Sequence, residues 1–192
     1  MNDALHTPGS AENPENDIRF QGLIRPARLE DLAAIRPILE RWVFDRETGT
    51  PLPDEVDDVM RGIQGGIDGT LDRTYVVAED PEGQVVGLMG LIPVSEKMVA
   101  FTTSPNAGEL INADIADNQR RKGVGRALKN TLEAIAMSRS YDEIVVNSGP
   151  RYESTGWPFW EKMYGPHVGI AKDLYGPGGD ARVWRHALIP EA

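Results

Sequence analysis

The stretch Ile115-Ala116-Asp117-Asn118-Gln119-Arg120-Arg121-Lys122-Gly123-Val124-Gly125-Arg126-Ala127-Leu128 joins an apolar strand end, a basic turn and the start of an amphipathic helix. Four cations (Arg120, Arg121, Lys122 and Arg126) fall within seven residues with no acid among them. The chain around them is acidic, with 20 Lys and Arg against 30 Asp and Glu and a formal net charge of -10. The local sign is therefore reversed. Gly123 and Gly125 stand where strand gives way to helix, and residues without side chains let backbone N–H groups approach a ligand. The unpaired amides and the dipole at a helix start attract anions. A strand, a basic Gly-x-Gly turn and a helix together predict a pyrophosphate cradle.

Two familiar cradles are excluded by single residues. A dinucleotide fingerprint requires Gly or Ala where Leu128 stands. A P-loop requires Gly-Lys followed by Ser or Thr, and the chain contains no Gly-Lys pair. On either side of the turn the periodicity is clear: Glu109–Ile115 reads as the feeding strand, and Val124–Ser138 as a helix with Val124, Leu128, Leu132 and Ile135 on its buried stripe.

Further upstream, a short strand is expected over Phe20–Arg25, stopped by Pro26, and a helix over Glu30–Arg46 that Pro37 kinks or breaks. Pro53 and the acids Asp54, Glu55, Asp57 and Asp58 suit the first turn of a second helix, Pro53–Ile67, weakened at Gly65 and Gly66. Strands Thr74–Glu79 and Gln84–Val94 are joined by an Asp80-Pro81-Glu82-Gly83 turn. Downstream come a buried strand Ile144–Asn147, a short helix Trp157–Tyr164, and a closing hairpin, Val168–Leu174 with Ala181–Leu188. The sum is an α/β domain of about seven strands and four helices.

Composition bounds the function. At 192 residues the chain suits one domain. Residues 1–16 hold three acids, no Lys or Arg and two prolines, so 1–17 are expected to form a flexible acidic tail and 18–192 the folded domain. The net charge argues against nucleic acid, while the absence of cysteine removes thiolate chemistry and fits a reducing, cytoplasmic setting. No apolar run reaches the roughly 18–20 residues that span a bilayer, and no secretory signal is visible. No His or carboxylate spacing suggests a metal, and no Gly-x-Ser-x-Gly elbow suggests a hydrolase. The final hairpin offers an edge for a homodimer.

Arg120-Arg121-Lys122-Gly123-Val124-Gly125 resembles the Arg/Gln-x-x-Gly-x-Gly/Ala motif of the GNAT N-acetyltransferase superfamily. Ile24-Arg-Pro-Ala-Arg-Leu-Glu-Asp-Leu32 and Phe159-Trp160-Glu161-Lys162-Met163 resemble its opening segment and last helix, and the likeness spans roughly 18–188. It implies a mixed, mostly antiparallel sheet and an acetyl-CoA-dependent N-acetyltransferase acting on a primary amine. The implied phosphate contacts are Gln119, Arg120, Arg121, Lys122, Gly123, Val124, Gly125 and Arg126, with Ile115 pairing the pantetheine arm and Asn147 hydrogen-bonded to it. Glu109, six positions before Ile115 and fourteen before Gly123, reproduces the spacing of the glutamate base in some members. Asp114 is the second choice of base, because simple alternation turns its side chain to the opposite face. The family's usual acidic tyrosine is replaced by Trp160, which leaves Tyr164 as the candidate proton donor and Tyr152 as another. The link from Ser148 to Gly156 is longer than usual for the family, and the resemblance assigns it to the acceptor pocket.

Overall fold

The computed structural model describes residues 19–188. In chain order its elements are β1 (Leu23–Pro26), α1 (Leu32–Trp42), α2 (Pro53–Ile67), β2 (Thr74–Glu79), β3 (Val85–Pro93), β4 (Ala107–Ile115), α3 (Val124–Ser138), β5 (Glu143–Ser148), α4 (Gly156–Tyr164), β6 (Gly169–Ala171) and β7 (Ala181–Ala187). The strands form one sheet in the order β1-β2-β3-β4-β5-β7-β6. Every neighbouring pair is antiparallel except β4 and β5. The expected α/β architecture is thus present; the expected tail over 1–17 lies outside the described residues.

Local chemistry sets the boundaries. Pro53 in the first turn, followed by Asp54 and Glu55, starts α2 at the expected residue. The expected helix from Glu30 to Arg46 is instead a 3-10 turn, Leu29–Asp31, leading into α1. Pro37 does not stop α1, which ends where Val43 turns extended and Phe44 bridges to Pro51. Asp31 anchors the entry, accepting from the Arg28 amide at 2.8 Å and from both terminal nitrogens of Arg25 at 2.7 and 2.8 Å. Pro26 is the last residue of β1, opposite Val76, rather than a stop before pairing. A proline is tolerated because β1 is the edge of the sheet and needs no donor on its outer side. The final hairpin is shorter than expected, since Asp173 adopts φ 50° and the chain leaves β6 at Ala171.

The sheet separates two apolar layers. On the back face Val76, Met89, Leu91, Leu110 and Val146 pack against Val124, Leu128 and Leu132 of α3 and Trp160 of α4. On the front face Tyr75, Val77 and Leu88 meet Ile35 and Leu39 of α1 and Val56 and Ile63 of α2. A smaller front cluster, Met98, Val145, Ala181 and Val183, lies over β5 and β7. Each fully buried Leu or Ile contributes about 1.5–3 kcal/mol of transfer free energy. The front layer is discontinuous, and β4 crosses the gap between its two clusters.

Candidate active site

Four residues of β4, Ala107 to Leu110, pair with Glu143 to Val146 of β5. Beyond them the parallel strands part. β4 continues to Ile115 with β3 alone beside it, while β5 continues to Ser148 beside β7. A cleft of about 1700 Å³ opens at this fork, walled by β4, the 119–126 turn, the β5–α4 link and the β6–β7 loop.

At one end lies the basic turn. Gly123 has φ 84° and immediately precedes α3, a left-handed conformation that L side chains rarely adopt. No side chain caps the first turn of α3, so its amides face the cleft mouth with the dipole behind them. Ile115, Gln119, Arg120, Arg121, Gly123, Val124, Gly125, Arg126 and Asn147 all line the cleft. The guanidinium of Arg120 stacks on Trp42 at 4.9 Å, and the Trp42 indole donates to the Ile115 carbonyl at 2.9 Å. Lys122 is not among the lining residues. Its ammonium donates to Gln119 Oε1 at 3.2 Å, and it borders a separate shallow hollow with Arg19 and Arg121. Gly125 has a packing reason for being glycine: a Cβ there would meet the Phe159 ring at 3.0 Å and Ile115 at 3.2 Å.

At the crotch of the fork stands Glu109, buried to 4% exposure. Its two oxygens accept from the Ser95 amide at 3.0 Å and from Asn147 Nδ2 at 3.1 Å. Asn147 in turn accepts from the Tyr175 hydroxyl at 2.5 Å. Desolvation of the hydroxyl against the cleft, followed by the charge of Glu109, pushes the Tyr175 phenol up to about 12, although the residue as a whole is 59% exposed. Tyr175, which sequence reasoning missed, comes from the β6–β7 loop, folded back so that its ring lies 2.7 Å from where a Gly149 Cβ would be. The only cue was a tyrosine directly before Gly176-Pro177-Gly178-Gly179.

Asp114 corrects the alternation argument. Between Leu88 and Gly90 of β3 the register slips: Gly90 faces Ile111, but Leu88 faces Asp114. Asn112 and Ala113 together oppose Met89, a β-bulge in which Asn112 takes φ 49° and its side chain accepts from the Tyr75 hydroxyl at 3.0 Å. The bulge uses one extra residue and so resets the faces. Ile115 joins Leu110 on the back layer, and Asp114 stands opposite Leu88 on the front, on the same face as Glu109 and Ile111. Both carboxylates line the cleft. Burial pushes the Asp114 carboxyl up to about 7, against a weaker downward pull from Arg151.

The other expected donor is moved out. Tyr164 is absent from the cleft lining and packs between Trp160 and His186, with its hydroxyl donating to Glu133 Oε1 at 2.9 Å. Burial and the Glu133 charge both raise its pKa, which opposes service as an acid. Trp160 is 3% exposed and belongs to the back core. Tyr152 does line the cleft; its hydroxyl lies 3.4 Å from the Trp42 carbonyl, and burial and the Asp114 charge raise its pKa. The long link is stapled across the front: Arg151 grips Glu55 of α2 at 2.7 and 3.0 Å, and Arg46 reaches Glu153 at 3.1 Å. Of the acids at the start of α2, Glu55 reaches the cleft, while Asp57 is paired with Arg36 at 2.7 Å and Asp58 with Arg61.

Comparison with known proteins agrees with this geometry. The model of the acetyltransferase (GNAT) family matches residues 37–165. An uncharacterized N-acetyltransferase of Chlorobaculum tepidum is 30% identical over 146 residues, spanning 74% of this chain and 79% of that protein. Among solved structures, one from Desulfovibrio desulfuricans assigned to the GNAT family superposes with a TM-score of 0.69 at 18% identity, covering 87% of this chain and 99% of the other. An aminoglycoside 6'-N-acetyltransferase complexed with coenzyme A gives 0.64 at 18% identity, covering 88% and 99%. The fork in the sheet, the left-handed glycine turn and these matches lead to one conclusion: the chain belongs to the GNAT acetyltransferase family.

Proposed function

We propose that the protein transfers the acetyl group of acetyl-CoA to a primary amine of a small molecule or peptide, by direct attack within a ternary complex. The observation that carries this reading is the fork: backbone of β4 from Ile111 to Ile115 without a strand partner on its β5 side, running from a buried carboxylate to a basic glycine turn. An extended pantetheine arm adds to such an edge as a further strand would. In this reading the amides from Arg121 to Gly125 take the phosphates, since those of Gln119 and Arg120 already donate to the Ala116 and Asp117 carbonyls, and Arg120, Arg121 and Arg126 add charge. Ile115 and Asn147 hold the arm.

Acetyl-CoA supplies the activated acyl group. The chain must supply a proton acceptor, because an alkylamine with a pKa near 10.4 arrives at neutral pH as an ammonium and is not nucleophilic until it loses a proton. Glu109 takes that proton, held in orientation by Ser95 and Asn147. As nitrogen bonds to the acyl carbon it becomes cationic; the carbon–sulfur bond breaks, and the second proton, shed by that nitrogen, ends on the departing thiolate to give the amide and free CoA. Tyr175, a phenol that keeps its proton throughout the working pH range, can turn from Asn147 to donate a hydrogen bond to that sulfur.

Replacing Glu109 by Gln removes the acceptor for the proton and keeps the shape. Release of free CoA should fall by about a hundredfold or more at neutral pH, with acetyl-CoA affinity within about twofold by calorimetry. Unchanged turnover would remove Glu109 as the base. The burial of Trp160 at the family's usual tyrosine position favours a second reading, a CoA-binding module without catalysis. Tight acetyl-CoA binding with no CoA released across an amine panel would select it.

A further inference from the structure

Two carboxylates stand on one wall of the cleft, and the structure uses them differently. Glu109 is held by two donors. Asp114 accepts no hydrogen bond and joins no ion pair among the described residues, although the β-bulge at Asn112 and Ala113 turns it into the cleft. Of the other acids that line the cleft, Glu55 is held by Arg151 and Asp45 by the amides of Glu47 and Thr48 and the Thr48 hydroxyl, while Glu47 is exposed to solvent, unlike the partly buried Asp114. The cations nearest to them are engaged too, Arg151 with Glu55 and Arg46 with Glu153.

We propose that Asp114 is a specificity residue that binds a second, unreacted cationic group of the acceptor, so that the preferred substrates are diamines or other amines bearing a distant positive charge. The inference rests on the reading of Glu109 as the site of the reacting amine. Five residue steps, one of them absorbed by the bulge, leave four strand steps between the two residues, roughly 13 Å along β4. An elongated acceptor lying along the front of β4 therefore meets a carboxylate at each end. Holding an unpaired charge in the cleft is costly, as the raised Asp114 pKa reflects, and a bound ammonium removes that cost. Glu55 on α2, Arg151 and Tyr152 on the link, and Tyr175 on the β6–β7 loop surround the same space, and the Arg151–Glu55 pair leaves no net charge there to compete for the cation.

The test is a matched panel with the full-length protein and acetyl-CoA: diaminohexane, diaminooctane and diaminodecane against hexylamine, octylamine and decylamine. Wild type should prefer the best diamine over its monoamine by about tenfold or more in kcat/KM, chiefly through KM. Asp114→Asn should bring that ratio close to one by raising KM for the diamine, and Asp114→Glu should restore part of it. Glu109→Gln should lower kcat for both acceptors and leave the ratio standing. A wild-type ratio near one, or a ratio that survives Asp114→Asn, overturns the inference while leaving acetyl transfer intact. If no amine is turned over, calorimetry of diaminooctane with the CoA-loaded protein still decides. Affinity that falls about tenfold in Asp114→Asn supports the cation site even as the catalytic reading fails, and equal affinity overturns it.

Discussion

Up to Leu110, β4 has a strand on each side; from Ile111 to Ile115 it has β3 alone, and the alternation of its side chains is broken by a bulge. The first half is an ordinary sheet interior. Leu110 is 1% exposed, opposite Leu91 on one neighbour and Val146 on the other. The second half faces a cleft and carries a left-handed asparagine and an unpaired carboxylate. One strand thus serves as rigid support and as the wall of a cleft. Function collects where the sheet is left incomplete, because that is where backbone and carboxylate remain available to a ligand while neighbouring residues stay fixed.

The largest effect expected from disturbing this contrast lies in the paired half. Leu110→Ala leaves a cavity between β4 and α3 and should cost about 3 kcal/mol of unfolding free energy, within the 2–5 typical of such truncations. Thermal melting should fall by roughly 6–12 °C for a domain of this size. A loss below about 1 kcal/mol would show that this half is not packed as tightly as its burial indicates.

Next in size, and opposite in sign, is Asp114→Asn in the unpaired half. The Asp114 carboxyl is pushed from 3.8 up to about 7 by burial, so the folded state holds its proton more tightly than the unfolded chain does. Stability drawn from that proton is complete below about pH 3.8 and is lost as pH rises through about 7. Asparagine abolishes the loss. The variant should therefore gain about 2 kcal/mol at pH 8, a figure discounted from full linkage because Asp114 is only half-buried, and close to nothing at pH 4. Equal stability changes at both pH values, measured by denaturant unfolding, would mean that the carboxylate is solvated and the two halves of β4 do not differ in this respect.

Much of the fold was legible because punctuation residues mark it. Pro53 with its acids fixes the start of α2, and Gly123 fixes the start of α3; both helices occupy their expected residues. The basic glycine turn at one end of the cleft was legible for the same reason, since a basic turn between strand and helix is contiguous in sequence. The other end, around Glu109 and Asn147, was not. Tyr175 meets Asn147 across 28 positions, a contact made by how the last hairpin folds back and not by any local pattern. Tyr164 looked available by proximity in sequence, but the register of α4 points it at Glu133. Gly125 looked like an opening for the ligand, whereas its missing Cβ admits Phe159. The face of Asp114 was misread because a bulge is one residue long and Glu109–Ile115 alternates smoothly on paper. Its one trace is Asn112, a residue type that tolerates positive φ.

That trace supplies the smallest and sharpest test. Asn112→Ala and Asn112→Gly both remove the hydrogen bond from the Tyr75 hydroxyl, a loss of about 1 kcal/mol in each. They differ in what the backbone asks of them. At φ 49° an alanine is strained and a glycine is not, so the alanine variant should be less stable than the glycine variant by about 1 kcal/mol, even though glycine gives more freedom to the unfolded chain. The reverse order in denaturant unfolding would mean that residue 112 is not left-handed. β4 would then alternate without interruption, Asp114 would return to the back face, and the contrast between the two halves of the strand would lose its second carboxylate.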